Sequence, residues 1–174
     1  ARRMTRHLLD AGRRRIAFVA GPDDNRDARE RRRGYEDALR EFDPAAGPVV
    51  VAGDFDQASG ARAAAGLLER TPRPDAIFAA NDAMAIGCLR ACADAGVDVP
   101  GEVAVAGFDD IPLARFVHPA LTTMQVDIAG LGASALRLLV QSREGAGAGD
   151  GIRSIVPQLV IRGSSQCAGS RPGP

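Results

Sequence analysis

The chain has 174 residues, 45% of them hydrophobic and 25% charged, which is typical of one soluble globular domain and excludes wholesale disorder. Its 22 basic and 22 acidic side chains cancel to a formal net charge of zero, so overall charge does not draw it to nucleic acid or to an anionic membrane. No apolar stretch approaches the roughly 20 residues that span a bilayer, and the arginine-rich start lacks the apolar segment of a secretory signal.

Short apolar runs alternate with longer segments of helical period. The runs predict β-strands at residues 16–20, 49–52, 76–80 and 103–106, and the segments between them predict helices at residues 28–42, 58–70 and 83–95. Each run is continuous and not alternating, which is typical of strands buried on both faces of a parallel sheet. Parallel neighbours need crossover connections, which are almost always right-handed. We therefore predict an α/β fold with an open parallel sheet flanked by helices.

The pattern changes after Phe108. Residues 111–120 predict a loop, residues 122–126 a short strand, and residues 128–139 an amphipathic helix. A Gly/Ala-rich loop follows at residues 142–151, then a last strand at 155–161 and a polar tail from Gly163 onward. This part of the chain therefore does not continue the regular strand–helix alternation.

Polar side chains follow each of the four predicted strands. They are Asp23 after the first strand, Asp54 and Asp56 on either side of Phe55 after the second, Asn81 and Asp82 after the third, and Asp109 and Asp110 after the fourth. In an open parallel sheet, ligands bind outside the carboxyl ends of the strands. Carboxylates and amides bind hydroxyl groups, and an aromatic ring offers a flat apolar face, so this edge suits a polyhydroxylated ring. Any one of these Asp or Asn residues is also explained as a helix N-cap or a turn former.

One arginine stands out from the others in the second segment. The apolar stripe of that helix is centred on Tyr35, Ala38 and Leu39, and Arg31 falls roughly 30° from its centre at about 100° per residue. Arg31 is also near the end of the helix that faces the polar edge of the sheet. An arginine placed there forms either an internal salt bridge or a clamp on a ligand, and spacing alone leaves both open.

Motifs for catalysis, cofactor binding and metal binding are scarce. The chain has no phosphate loop and no nucleophile elbow, and a dinucleotide-like pattern at residues 130–135 lies within a helix instead of a strand-to-helix turn. His7 and His118 form no cluster with cysteines, so no metal is expected. Cys88 and Cys92 lie on one apolar helix stripe and read as core residues, and the odd number of cysteines favours a reducing compartment. We expect no enzyme, no cofactor and no metal.

Seven short motifs occur in order along the chain. They are Ile16-Ala-Phe-Val-Ala-Gly-Pro, Arg31-x-x-Gly-Tyr, Gly53-Asp-Phe, Ala76-Ile-Phe-Ala-Ala-Asn-Asp-Ala-Met-Ala-Ile-Gly, Val97-x-Val-Pro, Val105-Ala-Gly-Phe-Asp-Asp-Ile and Leu121-Thr-Thr. Together they resemble the effector-binding core of the LacI/GalR family of bacterial transcription regulators. The match runs from about Arg6 to Ser164, which is nearly the whole chain.

This resemblance implies a periplasmic-binding-protein-like type I fold, with two lobes that hold a small effector between them. In that family, residues matching Arg31, Asn81 and Asp109 contact the effector, and an aromatic matching Phe55 lies against its ring. Asp27 occupies a neighbouring position. The expected ligand-binding residues are therefore these five.

The resemblance also divides the chain into parts. We expect a C-terminal effector-binding lobe at residues 15–125 that is completed by a strand at 152–163, helices of an incomplete N-terminal lobe at 1–14 and 126–145, and a flexible tail at 164–174. The apolar stripe of Ile128, Leu131, Ala135 and Leu138 would then be partly exposed or covered by another chain.

We interpret the chain as the effector-sensing domain of a cytoplasmic LacI/GalR-like regulator that binds a sugar or a similar small polar molecule. We expect a homodimer, no membrane partner, and contact with DNA only through a helix-turn-helix that these 174 residues do not include. The first alternative is a periplasmic sugar-binding protein of the same fold, which a signal peptide upstream would indicate. The second is a small α/β enzyme whose turnover depends on Asp109 or Asp110.

Overall fold

The elements of the fold follow the predicted order closely. The computed structural model describes residues 1–45, 47–143 and 156–166. In chain order its elements are α1 (Arg2–Asp10), β1 (Ile16–Ala20), α2 (Arg26–Phe42), β2 (Val49–Ala52), α3 (Gln57–Leu68), β3 (Ala76–Ala79), α4 (Asp82–Asp94), β4 (Ala104–Ala106), a 3₁₀ turn (Pro112–Arg115), β5 (Thr123–Gln125), α5 (Ile128–Arg143) and β6 (Gln158–Val160).

Two sheets are present within the described residues. Strands β1 to β4 are parallel, in the spatial order β2-β1-β3-β4, and β5 pairs antiparallel with β6. The chain leaves β1 toward β2 on one side and then returns to place β3 on the other, so β1 and β3 flank a topological switch point. Hydrogen bonds join β5 and the residue before it to the segment after β4, among them those from the Gly107 N–H to the Thr122 carbonyl at 2.9 Å and from the Asp109 N–H to the Met124 carbonyl at 2.8 Å. The predicted α/β class is confirmed.

The middle of the parallel sheet is buried on both faces. All residues of β1, β3 and β4 are buried, as their continuous apolar runs predicted. On one face, Tyr35 of α2 stacks on Phe18 with ring centroids 5.1 Å apart. Its hydroxyl donates to the Ile16 carbonyl at 2.7 Å and accepts the Val49 N–H at 3.1 Å. Tyr35 therefore links β1 to the edge strand β2 as well as filling the core.

The helices that follow β1, β2 and β3 each begin at a capping side chain. The bonds run from the Ala28 N–H to Asn25 at 3.0 Å, from the Ser59 N–H to Asp56 at 2.6 Å, and from the Met84 N–H to Asn81 at 2.9 Å. These side chains satisfy N–H groups that have no partner within the helix. As a result α2, α3 and α4 start one or two residues earlier than their apolar stripes predicted.

The two cysteines of α4 are core residues, as predicted. Cys88 and Cys92 are both buried and unoxidised. Burial raises the pKa of both thiols, that of Cys92 to about 11, so neither is a reactive thiolate at neutral pH. Cys167 lies outside the described residues.

Two segments outside the lobe expected at residues 15–125 pack into the common core. Residues 1–14 were expected in another lobe, but α1 packs against α2 and buries Met4, Leu8 and Leu9 in the same core as the sheet. The tail was expected to begin at residue 164, yet Ser164 is buried and donates through its hydroxyl to the Val105 carbonyl at 2.6 Å. Both segments are held by partners far away in the chain, which local pattern does not report.

Helix α5 leaves apolar side chains in solvent. Ile128, Leu131 and Leu136 are 64%, 46% and 63% exposed. Ala135 is exposed and Leu138 is half-buried, so the predicted partial exposure of the stripe is confirmed at its four positions. The helix continues to Arg143, past the last residue of its apolar stripe at 139 and within the helical segment expected at 126–145. The first two residues of the Gly/Ala-rich loop predicted at 142–151 are helical. The rest of that loop, the first residues of the strand expected at 152–163, and the tail from residue 167 lie outside the described residues.

Candidate functional site

The candidate site lies at the carboxyl edge of the parallel sheet. Asn81 follows β3, which flanks the switch point, and Asp109 follows its neighbour β4. The first turns of α2 and α4 face the same edge, because each helix begins after a strand ends there. Three of the expected ligand-binding residues, Arg31, Asn81 and Asp109, therefore converge there.

Arg31 is the centre of this arrangement. Its guanidinium donates to Asp109 Oδ1 at 3.0 Å and to the Ala80 carbonyl at 2.6 Å, and it lies over the Phe108 ring at 4.1 Å from the ring centroid. The Arg31 and Asp109 side chains are only 17% and 25% exposed. The inward position on α2 predicted for Arg31 is confirmed, and its internal salt bridge is formed.

Asp109 is a carboxylate in an unfavourable setting. Burial raises its pKa above the ordinary value, Arg31 opposes this by charge and by hydrogen bonding, and the nearby charge of Asp27 raises it further. The backbone of Asp109 also has a φ of 114°, in the region that favours glycine. Groups held in such a conformation are often part of a binding site, since the surroundings must offset the strain.

Asn81 caps a helix and also lies at the carboxyl edge of the sheet. Its Oδ1 caps α4, as the alternative explanation held, while its Nδ2 donates to the Phe55 carbonyl at 2.9 Å. The side chain thus joins the end of β3 to the loop after β2. One lone pair on Oδ1 and one hydrogen on Nδ2 remain for a further partner.

Phe55 lies across the end of β1. Its φ is 63°, and its ring is so close to Gly21 that any Cβ at that position would collide with it. A side chain at position 21 would therefore displace the Phe55 ring from the end of the strand. The ring is half-buried, which leaves part of it accessible.

Asp27 is the least integrated of the five expected residues. It lies in the first turn of α2 and is exposed. Its carboxylate is near enough to raise the pKa of Asp109. Asp27 is therefore at the margin of the site, while the other four form two pairs in direct contact, Arg31 with Asp109 and Asn81 with the Phe55 carbonyl.

Two carboxylates at this edge were noted by position only, and their burial was missed. Asp82 is fully buried, and the Asp110 side chain is 1% exposed and pairs with Arg162 at 2.6 Å. Each stands next to an expected site residue, as Asn81-Asp82 and Asp109-Asp110. The only signal in the sequence was this doubling of polar residues at strand ends, where a single cap would suffice.

Clusters of potential metal ligands and helices able to span a membrane are both absent from the described parts of the chain. Residues 1–45, 47–143 and 156–166 contain no group of three or more His, Cys, Asp or Glu side chains arranged to hold a metal ion. Among the same residues, no helix combines the length and the apolar character needed to cross a bilayer.

Comparison with known proteins gives a consistent family. Residues 5–165 match the model of the periplasmic binding protein-like domain. The HTH-type transcriptional repressor CytR of Escherichia coli (strain K12) is 35% identical over 161 residues, which is 92% of this chain and 47% of that protein. The HTH-type transcriptional regulator CelR of Thermobifida fusca is 40% identical over 143 residues, 80% of this chain and 41% of that protein. The chain spans about half the length of the curated relatives it matches.

Solved structures of similar proteins have the same fold. A dimeric Lac repressor with an 11-residue C-terminal deletion superposes with a TM-score of 0.88 at 30% identity, over 94% of this chain and 60% of that one. A complex of the regulator CelR with cellobiose gives a TM-score of 0.85 at 36% identity, over 92% of this chain and 49% of that one. The chain therefore belongs to the periplasmic binding protein-like domain family, and its relatives are the LacI/GalR-type regulators that its motifs resemble.

Proposed function

We propose that this chain is the effector-sensing lobe of a LacI/GalR-type transcription regulator and that it binds a sugar or a similar polyhydroxylated ring. The observation that carries the proposal is the half-buried Arg31–Asp109 pair at the carboxyl edge of the sheet, 3.0 Å apart and beside the switch point. Ligands of open α/β sheets bind at this place. The curated relatives are transcription regulators and not enzymes, which favours this function over catalysis and over a periplasmic carrier.

The two charged groups offer complementary bonds to a ring with several hydroxyls. A guanidinium has five N–H donors, and Arg31 makes two hydrogen bonds with described residues. Asp109 uses Oδ1 for Arg31, so Oδ2 is available to accept from a hydroxyl. Charge-assisted bonds of this kind are stronger than bonds between neutral groups, and the arginine fork adds directional selectivity.

Asn81 and Phe55 complete the half-site. The Asn81 amide is held at both ends, by the Met84 N–H and the Phe55 carbonyl, so it meets a ligand with little loss of side-chain freedom. The Phe55 ring offers an apolar face for the C–H groups of a sugar ring. Asp27 is proposed to contribute mainly through its charge at the margin of the site.

The proposed mechanism is closure over the ligand. Arg31 and Asp109, whose side chains are 17% and 25% exposed, would cover one side of the ligand ring. The proposed second lobe of the regulator would cover the other side. A ligand that binds the closed state better than the open state shifts the population between them. We propose that this shift passes through a homodimer to DNA-binding segments, and that the protein works in the cytoplasm.

The test is a titration of this chain with two sugars and a nucleoside, monitored by the amide chemical shifts in NMR spectra. The probes are cellobiose, D-galactose and cytidine at millimolar concentrations, because a half-site binds weakly. We expect at least one probe to produce saturable shifts centred on Arg31, Asn81 and Asp109. Asp109→Ala should abolish them, and Asp24→Ala, which removes an exposed carboxylate in the loop after β1, should leave them unchanged. Saturable binding that survives Asp109→Ala would refute the site, and no binding of any probe would refute the ligand class.

A further inference from the structure

The buried carboxylate of Asp82 holds the segment that carries Asp109. Asp82 is the first residue of α4 and is completely buried. Its Oδ2 accepts the Ile111 N–H at 2.9 Å, its Oδ1 accepts the Thr123 hydroxyl at 2.6 Å, and its own N–H donates to the Phe108 carbonyl at 2.8 Å. These bonds grip the segment 108–111 at both of its ends.

Segment 108–111 has a strained backbone that needs hydrogen bonds from neighbouring elements. Asp109 and the next residue, Asp110, both have positive φ, 114° and 57°, and each such residue costs on the order of 1 kcal/mol or more. The three consecutive amides of residues 109–111 donate to the Met124 carbonyl, the Thr123 hydroxyl and the Asp82 carboxylate. Two of these three acceptors are Asp82 itself and the hydroxyl that donates to Asp82.

The negative charge of Asp82 does not stabilise the folded state. Burial raises its pKa to about 6, and the charges of Asp109 and Asp110 push it in the same direction, whereas the bonds from Thr123 and Ile111 oppose the shift. A carboxyl whose pKa is raised in the folded state favours folding when protonated, and this contribution is lost as the pH rises through about 6. At neutral pH the ionised Asp82 is therefore a cost to folding.

We infer that Asp82 is a positioning residue of the ligand site, which keeps the strained segment 108–111 in place so that Asp109 meets Arg31 and the ligand. The significance for ligand binding rests on the proposed function, but the mechanical role does not. A residue retained at a cost to stability is expected where it serves a site. Gly107 fits the same design, because any Cβ there would collide with the Asp82 carboxylate.

The test is amide hydrogen exchange of the full chain, which needs no ligand. In Asp82→Asn the amide nitrogen replaces one acceptor oxygen, so we expect protection of the Ile111 amide and its neighbours in 109–111 to fall by roughly 10-fold, the effect of about one net hydrogen bond. Thr123→Val, which removes the hydroxyl but keeps the shape, should act in the same direction, and Thr123→Ser should restore protection. The melting temperature of Asp82→Asn at neutral pH should be equal to or above that of the wild type.

Asp75→Asn is the matched control. Asp75 is a half-buried carboxylate that, like Asp82, accepts backbone N–H groups, in this case those of Arg14 and Arg15, but it does so at the opposite edge of the sheet. Its replacement should leave exchange in 109–111 unchanged. Unchanged exchange in Asp82→Asn, or faster exchange spread evenly over the domain with a lower melting temperature, would overturn the inference. Failure of all sugars to bind, with the exchange result intact, would overturn the proposed function alone.

Discussion

The Arg31–Asp109 pair offers the sharpest test of how the site is built. Arg31→Met keeps most of the apolar stem of the side chain and removes its charge. It leaves the Ala80 carbonyl without this donor, Asp109 without its counter-charge, and the Phe108 ring without the cation above it. Breaking a fully buried pair costs roughly 3–5 kcal/mol, and an exposed pair contributes about 0–1 kcal/mol. With side chains 17% and 25% exposed, we expect the free energy of unfolding to fall by about 2 kcal/mol.

A double-mutant cycle isolates the part due to the pair. Urea unfolding of Arg31→Met, Asp109→Asn and the double variant should give a coupling energy of about 1–2 kcal/mol. Arg90 and Asp94 form a geometrically similar pair at 2.8 Å on the surface of α4, with side chains 75% and 59% exposed. The same cycle with Arg90→Met and Asp94→Asn should give a clearly smaller coupling, since solvent screens those charges.

The pH dependence gives an independent check. Burial already raises the pKa of Asp109 and Arg31 lowers it, so removing Arg31 raises it further. Because a protonated Asp109 needs no counter-charge, the stability lost in Arg31→Met should be larger at about pH 7 than at about pH 4. A coupling no greater than that of the surface pair, or a loss independent of pH, would refute the reasoning.

Two further predictions concern the packing of the lobe and are measured by urea unfolding. Gly60→Ala should destabilise the protein by about 2 kcal/mol or more, since its Cβ would collide with the main chain of Met84 where α3 meets α4, whereas Gly66→Ala, with open space around it in α3, should stabilise it by about 0.5–1 kcal/mol. Equal effects of the two variants would contradict this account of the helix contact. Tyr35→Phe should cost about 1–3 kcal/mol, because the hydroxyl that bonds the buried Ile16 carbonyl is lost without relief of packing, and a cost near zero would show that water replaces it.

The strands of the parallel sheet were predicted well from their local sequence pattern, because their residues are regularly buried. The strands at 16–20 and 49–52 match β1 and β2, and β3 and β4 are each one residue shorter than predicted. A central strand of a parallel sheet is buried on both faces, so nearly all of its residues are apolar. A continuous apolar run is therefore enough to predict such a strand. Helix starts were less accurate, because Asn25, Asp56 and Asn81 place the first turn ahead of the apolar stripe.

Local pattern is least informative where the partner of a segment lies far along the chain. Ser164 is in the buried part of the fold because it bonds Val105, 59 residues away, and nothing near Ser164 announces that contact. Similarly, the apolar side chains of α1 reach the core that surrounds the sheet. In both cases the residue types are compatible with burial, but the sequence does not show which distant residues they contact.

From the sequence alone, the fold class, the order of elements and the edge of the sheet at which polar residues gather were all determined, because these depend on periodicity and on the fixed geometry of parallel strands. Tertiary structure alone decided which polar groups meet. Arg31 and Asp109 are joined across 78 residues, and Asp82 and Thr123 across 41. Such contacts depend on strand order and side-chain direction, and burial of a carboxylate depends on everything packed around it, which no local window of sequence contains.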